Sequence, residues 1–191
     1  MSTKTNRLMA AAAALVLVAG CSNEIGRTSS PVTLIVSNTQ NIQRLDIAPG
    51  AVNCAQDVGT ISVQALLKNP TVISDQRFND VRITSYTVNY VRTDGGKLVP
   101  ASFTRSKDAL ITIGSGATSL SKFLILEPGA LTQAPFAALQ TNNGGRDPET
   151  GRTFVQMDVV VTVFGETLAG EKVSGATRFP LDFCFQCNGC A

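Results

Sequence analysis

The stretch Phe154-Val155-Gln156-Met157-Asp158-Val159-Val160-Val161-Thr162-Val163-Phe164 and the return Val173–Phe185 after it decide the fold. In the first, Val155, Met157, Val159, Val161 and Val163 recur at every second position. A period of two is the signature of a strand with one face buried, because successive side chains point to opposite faces. Gly165–Gly170 supplies a turn. In the return, Phe179, Leu181, Phe183 and Phe185 form a second inward row, with Pro180 on the opposite face. Two long alternating runs around a Gly-containing turn predict an antiparallel hairpin.

Upstream, the same rhythm repeats. Val32, Leu34 and Val36 predict a strand over 32–37, and Ile61, Val63, Ala65 and Leu67 predict another over 59–68, ended by Asn69-Pro70. Residues 38–55 are less regular, with a turn at Pro49-Gly50. Val81–Thr93 carries the clearest alternation, but Val81 and Ile83 share one parity while Tyr86, Val88 and Tyr90 share the other. A one-residue slip of the apolar face predicts a bulge near Thr84-Ser85. Asp94-Gly95-Gly96 then predicts a hairpin turn. Further short strands are expected over 99–103, 109–113 and 120–126, and a helical turn over 134–139.

Seven to eight short strands with little helix predict an all-β fold, a two-sheet antiparallel sandwich. The stretch VTVFGETLAGEKVSG (161–175) resembles the last hairpin of immunoglobulin-like and fibronectin-type-III-like modules of bacterial envelopes. That resemblance implies an immunoglobulin-like β-sandwich. Antibody-type domains add a core Cys–Trp–Cys arrangement; this chain has no tryptophan, so the variable-domain subtype is not expected.

Composition narrows the chemistry. There is no histidine, which removes Ser-His-Asp and Cys-His catalysis, histidine zinc sites and histidine haem ligation. The net charge of +2 comes without a basic stripe, so no nucleic-acid partner is expected. No catalytic residues, no resident cofactor and no small-molecule substrate are indicated.

The N-terminal segment gives an address. Lys4 and Arg7 precede the apolar run Leu8–Ala19, which is too short to span a bilayer, since a transmembrane helix needs about 20 such residues. The run closes on Val18-Ala19-Gly20-Cys21, which resembles the lipobox of bacterial lipoproteins. The resemblance implies cleavage before Cys21, a diacylglycerol on its thiol and often an acylated new amine. Two or three acyl chains anchor stably where one does not. Ser22 after the cysteine implies, by the same resemblance, the outer membrane. The expected organisation is a signal peptide over 1–20, anchor and tether over 21–31, and one sandwich domain over 32–191.

With Cys21 acylated, Cys54, Cys184, Cys187 and Cys190 remain as disulfide candidates. Strand alternation brings Cys54 and the C-terminal cysteines to one pole, so Cys54 is expected to pair with one of the three and the other two to bridge locally. The long loop so closed has an entropic worth on the order of 4–5 kcal/mol. Two alternatives use the same thiols: a Cys₄ zinc or iron–sulfur site, and a redox pair at Cys187-Asn188-Gly189-Cys190. Covalent haem fails because Ala191 stands where CxxCH needs histidine.

Two surface features complete the reading. The loop over 142–151, dense in Asn, Gly, Asp and Pro, is the best surface for a protein partner, and its Asp147 and Glu149 are candidate calcium ligands. Tyr86 and Tyr90 share a strand face and are expected in the core. The function expected is a structural or interaction module of the envelope, held to the membrane through its lipid, with metal or redox handling by the C-terminal cysteines as the alternative.

Overall fold

The computed structural model describes residues 30–39, 42–48, 59–70 and 76–187. The apolar run, Cys21, the tether up to residue 29, the Pro49-Gly50 turn, Cys54 and Cys190 lie outside the described residues. Eight strands follow in order: β1 (Val32–Asn38), β2 (Arg44–Asp46), β3 (Ile61–Leu67), β4 (Val81–Arg92), β5 (Phe103–Ile111), β6 (Thr118–Leu120), β7 (Phe154–Thr167) and β8 (Lys172–Cys184). They form one sheet of order β1-β3-β6 and another of order β2-β8-β7-β4-β5. That partition is the connectivity of an immunoglobulin-like sandwich. Every strand pair is antiparallel except one: β2 runs parallel to β8, with Arg44 opposite Asp182 and Asp46 opposite Cys184. The all-antiparallel expectation is corrected there, because the chain leaving β1 crosses to the other sheet and reaches β8 travelling the same way.

The inward rows read from the sequence form the core. Val155, Met157, Val159, Val161 and Val163 are fully buried, as are Val63, Val81, Ile83 and Val88. Rings fill the centre. Phe183 lies 5.1 Å from Phe136 and 6.4 Å from Tyr90, and Tyr86 lies 4.4 Å from Phe123. Buried tyrosine needs a partner for its hydroxyl. Tyr90 Oη donates to the Ile125 carbonyl at 2.6 Å, and Tyr86 Oη both donates to the Leu124 carbonyl and accepts from the Leu124 N–H.

The bulge falls where the parity slip predicts it. Ile83 pairs with Gly165 and Ser85 with Phe164, so β4 spends two residues against one of β7. At position 165 a side chain would meet the Arg82 carbonyl and Val81. A second close approach joins the sheets: a Cβ on Gly175 of β8 would collide with the Leu34 carbonyl of β1.

Three strand expectations change. Residues 99–103 and 109–113 are not separate strands; a single edge strand, β5, covers 103–111, and Pro100 lies in the connection before it. The rhythm is obscured because Arg105 and Lys107 occupy its inner face, Arg105 standing opposite buried Tyr86. Arg105 pairs with Glu127, and Lys107 donates to the Ser121 carbonyl at 2.6 Å with its ammonium 5.2 Å from the Phe123 ring centre. Inward charges of this kind keep an edge strand from recruiting another. The expected strand over 120–126 shortens to β6: Lys122 takes a left-handed φ of 61°, and Phe123, Ile125 and Leu126 are all buried without alternating. The helical turn expected over 134–139 is Phe136–Leu139.

Two poles result. At the entry pole, the Lys68 N–H donates to the Pro31 carbonyl and the Leu168 N–H to the Asp80 carbonyl, so the start of β1, the β3–β4 connection and the β7–β8 turn lie together. At the far pole, Phe154 pairs with Cys184 and the Thr93 N–H donates to the Gln156 carbonyl, gathering the β4–β5 connection, the approach to β7 and the end of β8.

Candidate interaction surface

The far pole is built around one arginine that the sequence does not single out. Arg92, the last residue of β4, has a side chain only 2% exposed, and the carboxylates of Asp94 and Asp147 beside it are 0% exposed. Its guanidinium grips Asp94 with two bonds, Nε to Oδ1 at 2.7 Å and Nη2 to Oδ2 at 2.9 Å. Nη2 also reaches Asp147 Oδ2 at 2.9 Å, and Nη1 donates to the Leu98 carbonyl at 3.0 Å. Paired N–H donors on carboxylates give both strength and a fixed orientation.

Each carboxylate then ties down backbone. Asp94 accepts from the Gly96 N–H, which closes the Asp-Gly-Gly turn, and from the Gln156 N–H on β7. A Cβ at position 96 would overlap the Arg92 guanidinium, so a side chain there would have to displace the clamp. Asp147 Oδ2 accepts from both the N–H and the hydroxyl of Thr150. Glu149 Oε2 accepts from the Lys97 and Leu98 N–H groups, each at 2.8 Å. The loop over 142–151 and the β4–β5 connection are therefore one clamped surface.

Burial alone would push both Asp94 and Asp147 up toward protonation. For Asp94, the Arg92 guanidinium and the Gln156 and Gly96 N–H groups outweigh it and hold the carboxyl below the ordinary range. For Asp147, Arg92 and Thr150 do the same. The reciprocal effect raises Arg92, against the pull of its own burial.

This geometry corrects the calcium reading. Asp147 Oδ2 is taken by Arg92 and Thr150, and Glu149 Oε2 by the Lys97 and Leu98 N–H groups. Among the described residues, no group of three or more His, Cys, Asp or Glu side chains is arranged to hold a metal ion.

The same pole carries the described cysteines. Cys184 and Cys187 form a disulfide with Cα atoms 6.0 Å apart, the local bridge expected within the C-terminal trio. Cys187 is thereby joined to Cys184 rather than to Cys190, and two of the four thiols that a Cys₄ site requires are consumed. Asp46 of β2 holds the bridged turn: its Oδ1 accepts from the Gln186 and Ala48 N–H groups and its Oδ2 from the Cys187 N–H at 2.8 Å. Asp46 and Arg92 are the two organising residues that sequence reading missed. Tyr86 and Tyr90 belong to the core, as expected, and present no binding stripe.

Compared with protein-family models, curated proteins and solved structures, the chain matches none.

Proposed function

We propose that this chain is a bacterial outer-membrane lipoprotein, anchored through Cys21, whose immunoglobulin-like sandwich is a non-catalytic module for engaging another envelope protein. The observation that carries the reading is the Arg92 clamp. It fixes two loops into one surface at the pole opposite the chain's entry, and so away from the anchor that Val18-Ala19-Gly20-Cys21 implies. A surface ordered before contact loses less entropy on binding than a loop that must order on contact. The Cys184–Cys187 bridge beside it fits the oxidising compartment that an exported chain meets. A sequence without histidine suits a binding module better than an acid–base enzyme.

The test is photo-crosslinking in native membranes from a reactive side chain placed at Asn142 or Lys97, with Ser174 on the opposite sheet end as control. A discrete partner captured from the first two positions and not from the third is the expected result. Capture of nothing specific from Asn142 and Lys97, together with turnover of a substrate by the purified protein, would overturn the reading.

A further inference from the structure

The entry pole exposes apolar side chains that the fold does not use. Phe78 is 61% exposed, Leu110 is 54% and Leu168 is 53%. They come from three separate parts of the chain. Phe78 lies on the short helix Gln76–Asn79 between β3 and β4, Leu168 on the β7–β8 turn, and Leu110 near the end of β5. Backbone bonds hold the first two together: the Ala169 N–H donates to the Phe78 carbonyl at 3.0 Å, and the Leu168 N–H to the Asp80 carbonyl at 2.9 Å. Leu168 and Leu110 line one shallow groove with Arg82 and Asp108, which pair with each other at 3.0 Å. Lone exposed leucines need no explanation, but three large apolar side chains gathered at one tip do.

What they face follows from where the chain enters. Ser30, the first described residue, is bound to Val32 at the start of β1, and β1 begins at this same pole. Ser30 lies nine residues after Cys21. A chain of that length reaches about 30 Å at full stretch. The pole is therefore kept within a domain's width of whatever holds Cys21. At such short range even a small apolar contact is made repeatedly, because the tether supplies a high effective concentration. Arg77, exposed beside Phe78, and Lys172, exposed at the start of β8, add cations of the kind that settle against anionic headgroups. Glu166 opposes them from the same turn region, so the apolar side chains rather than net charge supply the contact.

We infer that the Phe78–Leu168–Leu110 tip is a membrane-docking surface: it seats in the headgroup layer of the lipid leaflet that holds the Cys21 acyl chains, and so orients the domain upright with the Arg92-clamped loops outward. This rests on the lipoprotein reading of Cys21, and the experiment separates the two.

The natural chain has no tryptophan, so one introduced tryptophan reports alone. Full-length chain carrying Phe78→Trp, Leu168→Trp or, as the far-pole control, Asn142→Trp is produced in a bacterial host, extracted with its lipid and reconstituted into phosphatidylethanolamine–phosphatidylglycerol vesicles. Mass analysis of the N-terminal peptide is done first. Vesicles made with acyl-brominated lipids are then compared with ordinary ones. Emission from Phe78→Trp and Leu168→Trp protein should fall by roughly half, as suits side chains about 5–10 Å into the headgroup–acyl boundary. Emission from Asn142→Trp protein should not change. With the diacylglycerol present on Cys21, equal and negligible quenching in all three proteins would overturn the docking surface while leaving the anchor intact. An N-terminal peptide without lipid would overturn the anchor, and the docking inference with it. All three positions are exposed, so the substitutions leave the packed interior untouched.

Discussion

Arg92 and Asp147, fifty-five residues apart in sequence, meet at 2.9 Å in a site almost sealed from solvent. Removing one partner of such a pair strands the other's charge in a medium that solvates it poorly. Asp147→Ala is expected to lose about 3–5 kcal/mol of stability, with the loss read from urea unfolding midpoints. Arg92→Lys should not rescue the site, because an ammonium cannot span Asp94 and Asp147 as the planar fork does. A loss within the range of surface substitutions, about 0.5 kcal/mol, would show that the clamp is dispensable.

The clamp also sets an acid limit. Asp94 and Asp147 are held below the ordinary carboxylate value of 3.8 in the folded chain. A carboxyl with a depressed folded value contributes stability that is fully present above its unfolded value and is lost as pH falls through the folded one. Wild-type stability should therefore decline progressively below about pH 4. Asp147→Asn protein, already weakened at neutral pH, should decline less steeply over that window. Parallel stability curves for the two proteins from pH 7 to pH 2 would contradict this.

Gly175 controls how closely the two sheets approach at β1. An added methyl would meet the Leu34 carbonyl and the Leu34 and Val36 side chains. Gly175→Ala should cost about 1–3 kcal/mol by overpacking, and Gly175→Val more. Hydrogen exchange would localise the damage: β1 and β3 amides should lose protection before those of β4 and β7. Uniform loss across both sheets would show that β1 is not held at this point.

The Cys184–Cys187 bridge closes a short loop, so its removal should cost about 2 kcal/mol, less than a bond spanning the domain. Alkylation of the unreduced protein followed by peptide mapping should leave both residues unlabelled. Labelling of either at stoichiometric yield would mean the bridge is absent from the mature protein. Asp46→Ala, which removes the acceptor for the Gln186 and Cys187 N–H groups, should make the bridge more accessible to reductant.

The elements that reading the sequence recovers are those whose inner faces are uniformly apolar. Val155 to Val163 and Phe179 to Phe185 announce β7 and β8 because nothing polar interrupts the row. The parity slip between Ile83 and Tyr86 announces the bulge for the same reason. β5 hides because Arg105 and Lys107 stand on its inner face and are satisfied by Glu127 and the Ser121 carbonyl, partners that only the folded chain supplies. β2 hides because three residues with a single buried leucine carry no period; its strand character comes from pairing with β8.

The site divides along the same line. Cysteine spacing made the local bridge legible, and the loop density over 142–151 marked a surface. Asp147 is visible as a carboxylate in that loop and suggests a cation from solvent, whereas its cation is a side chain of the protein. Asp94, two residues on, is a near partner of Arg92, but Asp147, the second carboxylate of the clamp, arrives from beyond β6.

The bulge in β4 leaves Thr84 as a spare link. Val81 and Ile83 face inward before it, and Tyr86, Val88 and Tyr90 after it. Deleting Thr84 would join the two halves into one unbroken alternation, with every inward side chain still inward, at the loss of a 3.4 Å bond from its hydroxyl to the Phe164 carbonyl. Deleting a residue well beyond the bulge, such as Asn89, would instead turn part of the strand inside out. Along this strand, shortening by one residue keeps the apolar row inward only at the bulge, which makes Thr84-Ser85 the natural place for chains of this architecture to differ in length.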